Sequence, residues 1–307
     1  MGTDTGRAVR GVSALAAGCV LALVTGTGCA VGDGGPGGPA EGGADTGPPP
    51  LVRGDVAAVE RADLEAVFTD AGIGGTFVLH DARANTVTVV GPEEARERAV
   101  PGSTFRIPHT LIGLQTGTVE DVDEVLPGAS PRAAGRERAT TLRDAFPDES
   151  PRAYRELARG IGHDRLAAWV DLLDYGNRSV GGADAMDRFW SEGPLEISAM
   201  EQALFLARLA RTELPADTGH QRALHEIATV EEGDGHTLYA VAGTGADPAP
   251  GWWVGWVEYG EELHAFALRV EPGRDAGTEE GGTGPRAELG RELLVELAAL
   301  PPEAAAG

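Results

Sequence analysis

Pro101-Gly102-Ser103-Thr104-Phe105-Arg106-Ile107-Pro108 opens an apolar run, residues 104–117, whose composition predicts a buried helix. Ser103 stands at the N-terminal end of that helix. Two readings follow from the position alone. The serine is a helix cap, its hydroxyl taken up by free backbone N–H groups. Or it faces a cleft as a nucleophile, where the helix end and its free N–H groups stabilise developing negative charge. The second reading requires a base close to the hydroxyl.

Working outward, the run lies between strand signals and a helical stretch. Thr76–His80 and Thr86–Val90 read as strands around the polar turn Asp81–Asn85. Before them, Val56–Ala71 has apolar residues at Val56, Val59, Ala62, Leu64, Val67 and Phe68, which predicts an amphipathic helix. Residues 118–141 carry mixed charge with Pro and Gly and predict an irregular connection. Helical patterns cover 151–161, 163–173 and 198–211, with a weaker one over 217–228. Strands are expected over His236–Ala242, Trp252–Tyr259 and His264–Glu271. A Gly-rich loop over 272–285 then leads to a terminal amphipathic helix, Pro285–Leu300. Strands split between the start and the finish, with helices between them, imply one α/β (α+β) domain. Both ends of the chain complete its sheet.

Further short motifs follow Ser103 in order. They are Ser150, preceded by Thr141-Leu142-Arg143-Asp144-Ala145-Phe146; Tyr175-Gly176-Asn177; and Phe189-Trp190-Ser191-Glu192-Gly193-Pro194-Leu195-Glu196-Ile197-Ser198. Gly243-Thr244-Gly245 comes next, then Gly251-Trp252-Trp253-Val254-Gly255-Trp256-Val257. Together they resemble the motifs of the class D β-lactamases and the wider penicillin-binding, transpeptidase-like superfamily, over residues 55–300. The resemblance implies a central antiparallel sheet flanked by helices, with a helical subregion inserted mid-chain. It implies Ser103 as the acyl-enzyme nucleophile and Ser150 as the serine of a Ser-x-Val motif. Thr244, Gly245 and Ala246 become substrate-binding residues, with the Ala246 and Ser103 N–H groups as an oxyanion hole. Arg286 is similar in place to an arginine that holds the β-lactam carboxylate. Trp190 belongs to a loop that packs on the catalytic lysine. No cofactor is implied.

The departures from that pattern concern the chemistry. The general-base lysine one helical turn after the serine is Arg106 here. Holding an arginine neutral at pH 7 costs about 7–9 kcal/mol, and it forms no carbamate under ordinary conditions. Arg106 is a fixed positive charge rather than a base. Ser150-Pro151-Arg152 has an arginine in place of a small apolar residue, and Ser150 serves equally well as the cap of a helix starting at Pro151. Gly243 stands where the Lys-Thr-Gly lysine is expected. All 25 basic residues are arginine, so no mechanism that needs a lysine amine is open. These changes favour a recogniser of β-lactams or peptidoglycan stem peptides, with hydrolysis lost or very weak. An active serine β-lactamase with a substitute base and a non-enzymatic interaction lipoprotein are the alternatives.

Other site types find no support. The seven histidines show no metal-ligand spacing, and the Gly-rich stretches lack the lysine of a phosphate loop. A net charge of −23 on 307 residues argues against nucleic acid as a partner. At the N-terminus, Arg7 and Arg10 precede a short apolar stretch, Gly11–Thr25, and then Gly26-Thr27-Gly28-Cys29. This pattern predicts a signal peptide over 1–28 and lipidation at Cys29, or a plain secretory signal. Residues 29–54 include GDGGPGGPAEGGADTGPPP, a disordered tether with a reach of about 25 Å. The expected product is an exported protein on the outer face of the cell membrane, anchored through lipid at Cys29. Its domain spans 55–300, with a disordered tail over 301–307.

Overall fold

The computed structural model describes residues 56–126, 140–233, 235–272 and 284–306. The expected signal peptide, Cys29 and the tether lie outside the described residues. Seven strands form one sheet in the order β1-β3-β2-β7-β6-β5-β4. They are β1 (Ala57–Glu60), β2 (Gly75–Asp81), β3 (Thr86–Val90), β4 (Thr229–Gly233), β5 (His236–Thr244), β6 (Gly251–Tyr259) and β7 (Glu262–Val270). Every neighbouring pair is antiparallel except β1 with β3, which is parallel. The first and last parts of the chain meet at β2 and β7, where Phe77 pairs with Leu268.

Each inner strand buries both faces, and its alternate residues enter two different cores. On β6, Trp252, Val254 and Trp256 point into one core, while Trp253 and Val257 point into the other. The second core is closed by α1 (Glu65–Ala71) and α8 (Pro285–Glu296) through Phe68, Leu289 and Leu293. The first is closed by the helical insertion between β3 and β4. That insertion holds α2 (Arg106–Gln115), α3 (Leu142–Ala145), α4 (Pro151–Ile161), α5 (His163–Leu172), α6 (Ala199–Ala210) and α7 (Thr218–Ala228). Helix α2 sits at its centre and is buried from Arg106 through Leu114, as expected of a helix apolar all round.

Two expectations are corrected. The predicted helix over Val56–Ala71 starts only at Glu65. Its first residues form β1, an edge strand whose four residues are all exposed, so no in-out alternation marks it in the sequence. The tail folds back rather than trailing away. Pro302–Ala306 is a 3-10 turn, Ala304 is buried against the second core, and its carbonyl accepts a hydrogen bond from Arg291. No helix among the described residues is long and apolar enough to cross a membrane.

Candidate active site

The chain enters α2 through a 3-10 turn, Gly102–Phe105, pressed against the end of β5. Gly102 has φ +56°, and a Cβ there would lie 2.5 Å from both Gly245 N and Thr244 O, so only glycine fits. Ser103 is the partly exposed residue of this turn. Its hydroxyl caps no helix: neither the turn nor α2 has a side-chain cap. The cap reading of Ser103 therefore fails, and the hydroxyl faces a cleft of about 230 Å³. Around it stand Arg106, His109, Glu149, Tyr154, Trp190 and Thr244.

Arg106 lies beside Ser103, one turn along α2, and its guanidinium is a hub. One nitrogen donates to the carbonyls of Ser103 (3.1 Å) and Ala242 (2.6 Å), and another to the Glu149 carboxylate (3.2 Å). The group also lies 5.4 Å from the Phe146 ring centroid, within cation–π range. Burial pushes the Arg106 pKa down, and Glu149 opposes that shift. A guanidinium has no acceptor to offer and stays charged. It fastens α2, β5 and the turn before α4 together and takes no proton.

The second motif is displaced by one residue. Ser150, expected as a catalytic serine, is the N-cap of α4: its hydroxyl accepts from Ala153 N (3.4 Å), and Pro151 fills the first helical position. Glu149 faces the cleft instead. It does so with φ +49°, a left-handed conformation that is strained for any residue with a Cβ. In the sequence, Glu149 is marked only as an acid before the Ser150 cap.

The Gly243-Thr244-Gly245 stretch is pressed against the serine turn. A Cβ on Gly243 would stand 2.5 Å from Thr104 N and 3.0 Å from Ser103 C, both backbone atoms. Position 243 therefore has no room for a side chain in this packing. The amide expected as an oxyanion donor is also engaged. Ala246 N is already bonded to Ser191 O at 2.9 Å. Alternate residues of a strand present their peptide groups to one edge. Ala242 O points to the α2 side, where Arg106 reaches it, so Thr244 N–H points that way too, next to Ser103. The Ser103 and Thr244 amides are the pair that the geometry offers to an oxyanion.

Thr244 and Arg286 lie together: Arg286 donates to Thr244 Oγ1 and to Gly243 O, both at 2.9 Å. Gly245 and Ala246 line the cleft. Trp190 also lines it, stacked on Phe105 (5.8 Å, 19°) and edge-on to His109 (5.1 Å). Its carbonyl accepts from Gly102 N at 2.8 Å, while the next carbonyl, that of Ser191, takes Ala246 N. The Trp-bearing loop thus ties both cleft walls. Asn177 is structural: its side chain bonds Pro194 O, Ser179 N and Glu196 N, holding the same loop. His109, on α2 beside the cleft, is fully buried with both ring nitrogens unpartnered, and burial lowers its pKa to about 3. A ring that weakly basic accepts no proton usefully at neutral pH. No group of His, Cys, Asp and Glu among the described residues is arranged to hold a metal.

Residues 75–294 match the penicillin-binding protein transpeptidase domain. The chain is 35% identical over 251 residues to the β-lactamase OXA-15 of Pseudomonas aeruginosa, covering 80% of this chain and 88% of that protein. It is 34% identical over 224 residues to the probable β-lactamase YbxI of Bacillus subtilis, covering 72% and 81%. Among solved structures, it is similar to the class D β-lactamase FUS-1 (OXA-85) of Fusobacterium nucleatum subsp. polymorphum. The TM-score there is 0.70 at 31% identity, covering 79% of this chain and all of that one. With the buried serine helix, the glycine-backed strand β5 and the Trp-bearing loop in their places, the chain belongs to the class D β-lactamase and penicillin-binding transpeptidase family.

Proposed function

We propose that this protein binds β-lactams or peptidoglycan stem peptides in the Ser103 cleft, acylates slowly, and hydrolyses the acyl-enzyme very weakly or not at all. One observation carries the reading. The position that needs a lysine amine holds Arg106, whose guanidinium is committed to two carbonyls and a carboxylate. The cleft at Ser103, with Thr244 and Arg286 beside it, supports binding and stabilisation of an oxyanion. The machinery that would activate water at a normal rate is replaced. Fluorescent penicillin tests this on a denaturing gel. A band in the wild type that is lost in Ser103→Ala is the expected result; no band in the wild type overturns it. The N-terminal pattern supports export and anchoring through Cys29 to the outer face of the membrane. Cys29→Ala is expected to leave the membrane fraction or stay unprocessed, and an unchanged membrane fraction contradicts the anchor.

A further inference from the structure

Slow acylation still requires something to take the Ser103 proton, and the cleft contains few choices. Its titratable groups are Arg106, His109, Glu149, Tyr154, Arg155 and Glu192. The two arginines are already protonated. His109 is walled in by Phe105, Tyr154 and Trp190, with no surface on either nitrogen. The Tyr154 hydroxyl is buried against Thr110 Oγ1, which leaves it a neutral phenol. Glu192 is half exposed, and its carboxylate is paired with Arg188 at 3.5 Å. Glu149 remains. It is mostly buried, and its carboxylate shares one guanidinium with the Ser103 carbonyl. Its backbone is held in a left-handed conformation that turns it inward. Strain of this kind persists where the surrounding structure fixes it, and it collects at active sites.

We propose that Glu149 is the general base of Ser103, acting through one water in the cleft that both residues line. This rests on the reading of the cleft as an acylation site. The Ser103 Oγ–H proton passes to the water as the water gives a proton to the Glu149 carboxylate. The Oγ–C bond forms at the β-lactam carbonyl, with the oxyanion held by the Ser103 and Thr244 amides. The C–N bond of the ring then breaks, and Glu149 returns its proton through the same water to the departing nitrogen. Arg106 serves as a positioning residue that holds the carboxylate toward the cleft through its 3.2 Å contact.

A fluorophosphonate probe, which labels activated serines whether or not they accept β-lactams, tests the proposal on the full chain. Serine attack displaces fluoride from phosphorus, and the serine proton goes to the base. The wild type is expected to label at Ser103, with labelling lost in Ser103→Ala. Glu149→Gln is expected to label at least about 100-fold more slowly, the range for loss of a general base. Circular dichroism reports whether Glu149→Gln keeps its fold. Glu149→Asp retains the charge and the Arg106 contact, and is expected to label about 10-fold more slowly while folded. Equal labelling of the wild type and of a folded variant, or no Ser103 labelling in the wild type, overturns the assignment. Fluorophosphonate labelling that depends on Glu149, without any penicillin labelling, upholds the base and overturns the β-lactam reading instead.

Discussion

Gly243→Ala tests the fit between β5 and the serine turn. The added Cβ meets Thr104 N at 2.5 Å and Ser103 C at 3.0 Å. Neither is the far end of a side chain, so relief requires β5 and the start of α2 to separate by roughly an ångström, a local overpacking cost of about 1–3 kcal/mol. Against that, alanine restricts the unfolded chain and returns about 0.4–1 kcal/mol. The net loss is about 1–2 kcal/mol, or about 2–8 °C in Tm for a domain of this size. The same separation draws Thr244 N–H away from Ser103. Removing one oxyanion donor costs about 10²–10³ in rate, so labelling by fluorescent penicillin falls steeply. Calorimetry and a labelling time course, run side by side, give both numbers. A Tm within 1 °C of the wild type together with labelling within twofold refutes the close approach.

Three further outcomes follow. Ser150→Ala removes only the α4 cap, so it lowers stability by about 0.5–1 kcal/mol and leaves penicillin labelling unchanged; a large loss of labelling would restore Ser150 to the site. Arg106→Lys leaves a single ammonium to serve Ser103 O, Ala242 O and Glu149, so it lowers Tm and creates no bicarbonate-stimulated hydrolysis; nitrocefin assays with and without bicarbonate check it. His109 gives a pH signature. Its folded pKa of about 3 lies below the ordinary 6.5. Below pH 6.5 the unfolded chain takes up a proton that the folded chain refuses until about pH 3. Stability therefore drains away through that window, by up to about 1.4 kcal/mol per pH unit. Urea unfolding between pH 7 and pH 4 is expected to show a shallower slope in His109→Gln than in the wild type.

The fold was legible wherever burial imposes a period. Residues 151–161 and the strands at 236, 252 and 264 follow the pattern closely, because each places apolar side chains against a core. Ala57–Glu60 was not legible, since an exposed two-faced edge carries no pattern. The site was legible as a set of motifs but not to the residue. Ser150 and Gly243 matched motif letters, yet one is a cap and the other is squeezed against backbone. Which residue faces the cleft at each place depends on the turn before α4 and on the strand edge that Ala242 presents. Both are products of packing between distant segments. Glu149 left a trace in the sequence only as an acid before a helix cap. Its inward turn needs the Arg106 guanidinium, 43 residues earlier, to answer it.

On the proposed reading, the cleft still takes a β-lactam onto Ser103 while lacking the means to release it quickly. Intact-mass spectrometry of the full chain with benzylpenicillin, sampled over time alongside nitrocefin turnover, measures both halves at once. One penicilloyl increment per chain is expected, persisting after excess drug is removed and absent in Ser103→Ala. Nitrocefin turnover is expected far below about 1 s⁻¹, the lower end of ordinary enzymes. Turnover within the usual range of about 1–10³ s⁻¹, or a chain that never gains the adduct, would contradict it.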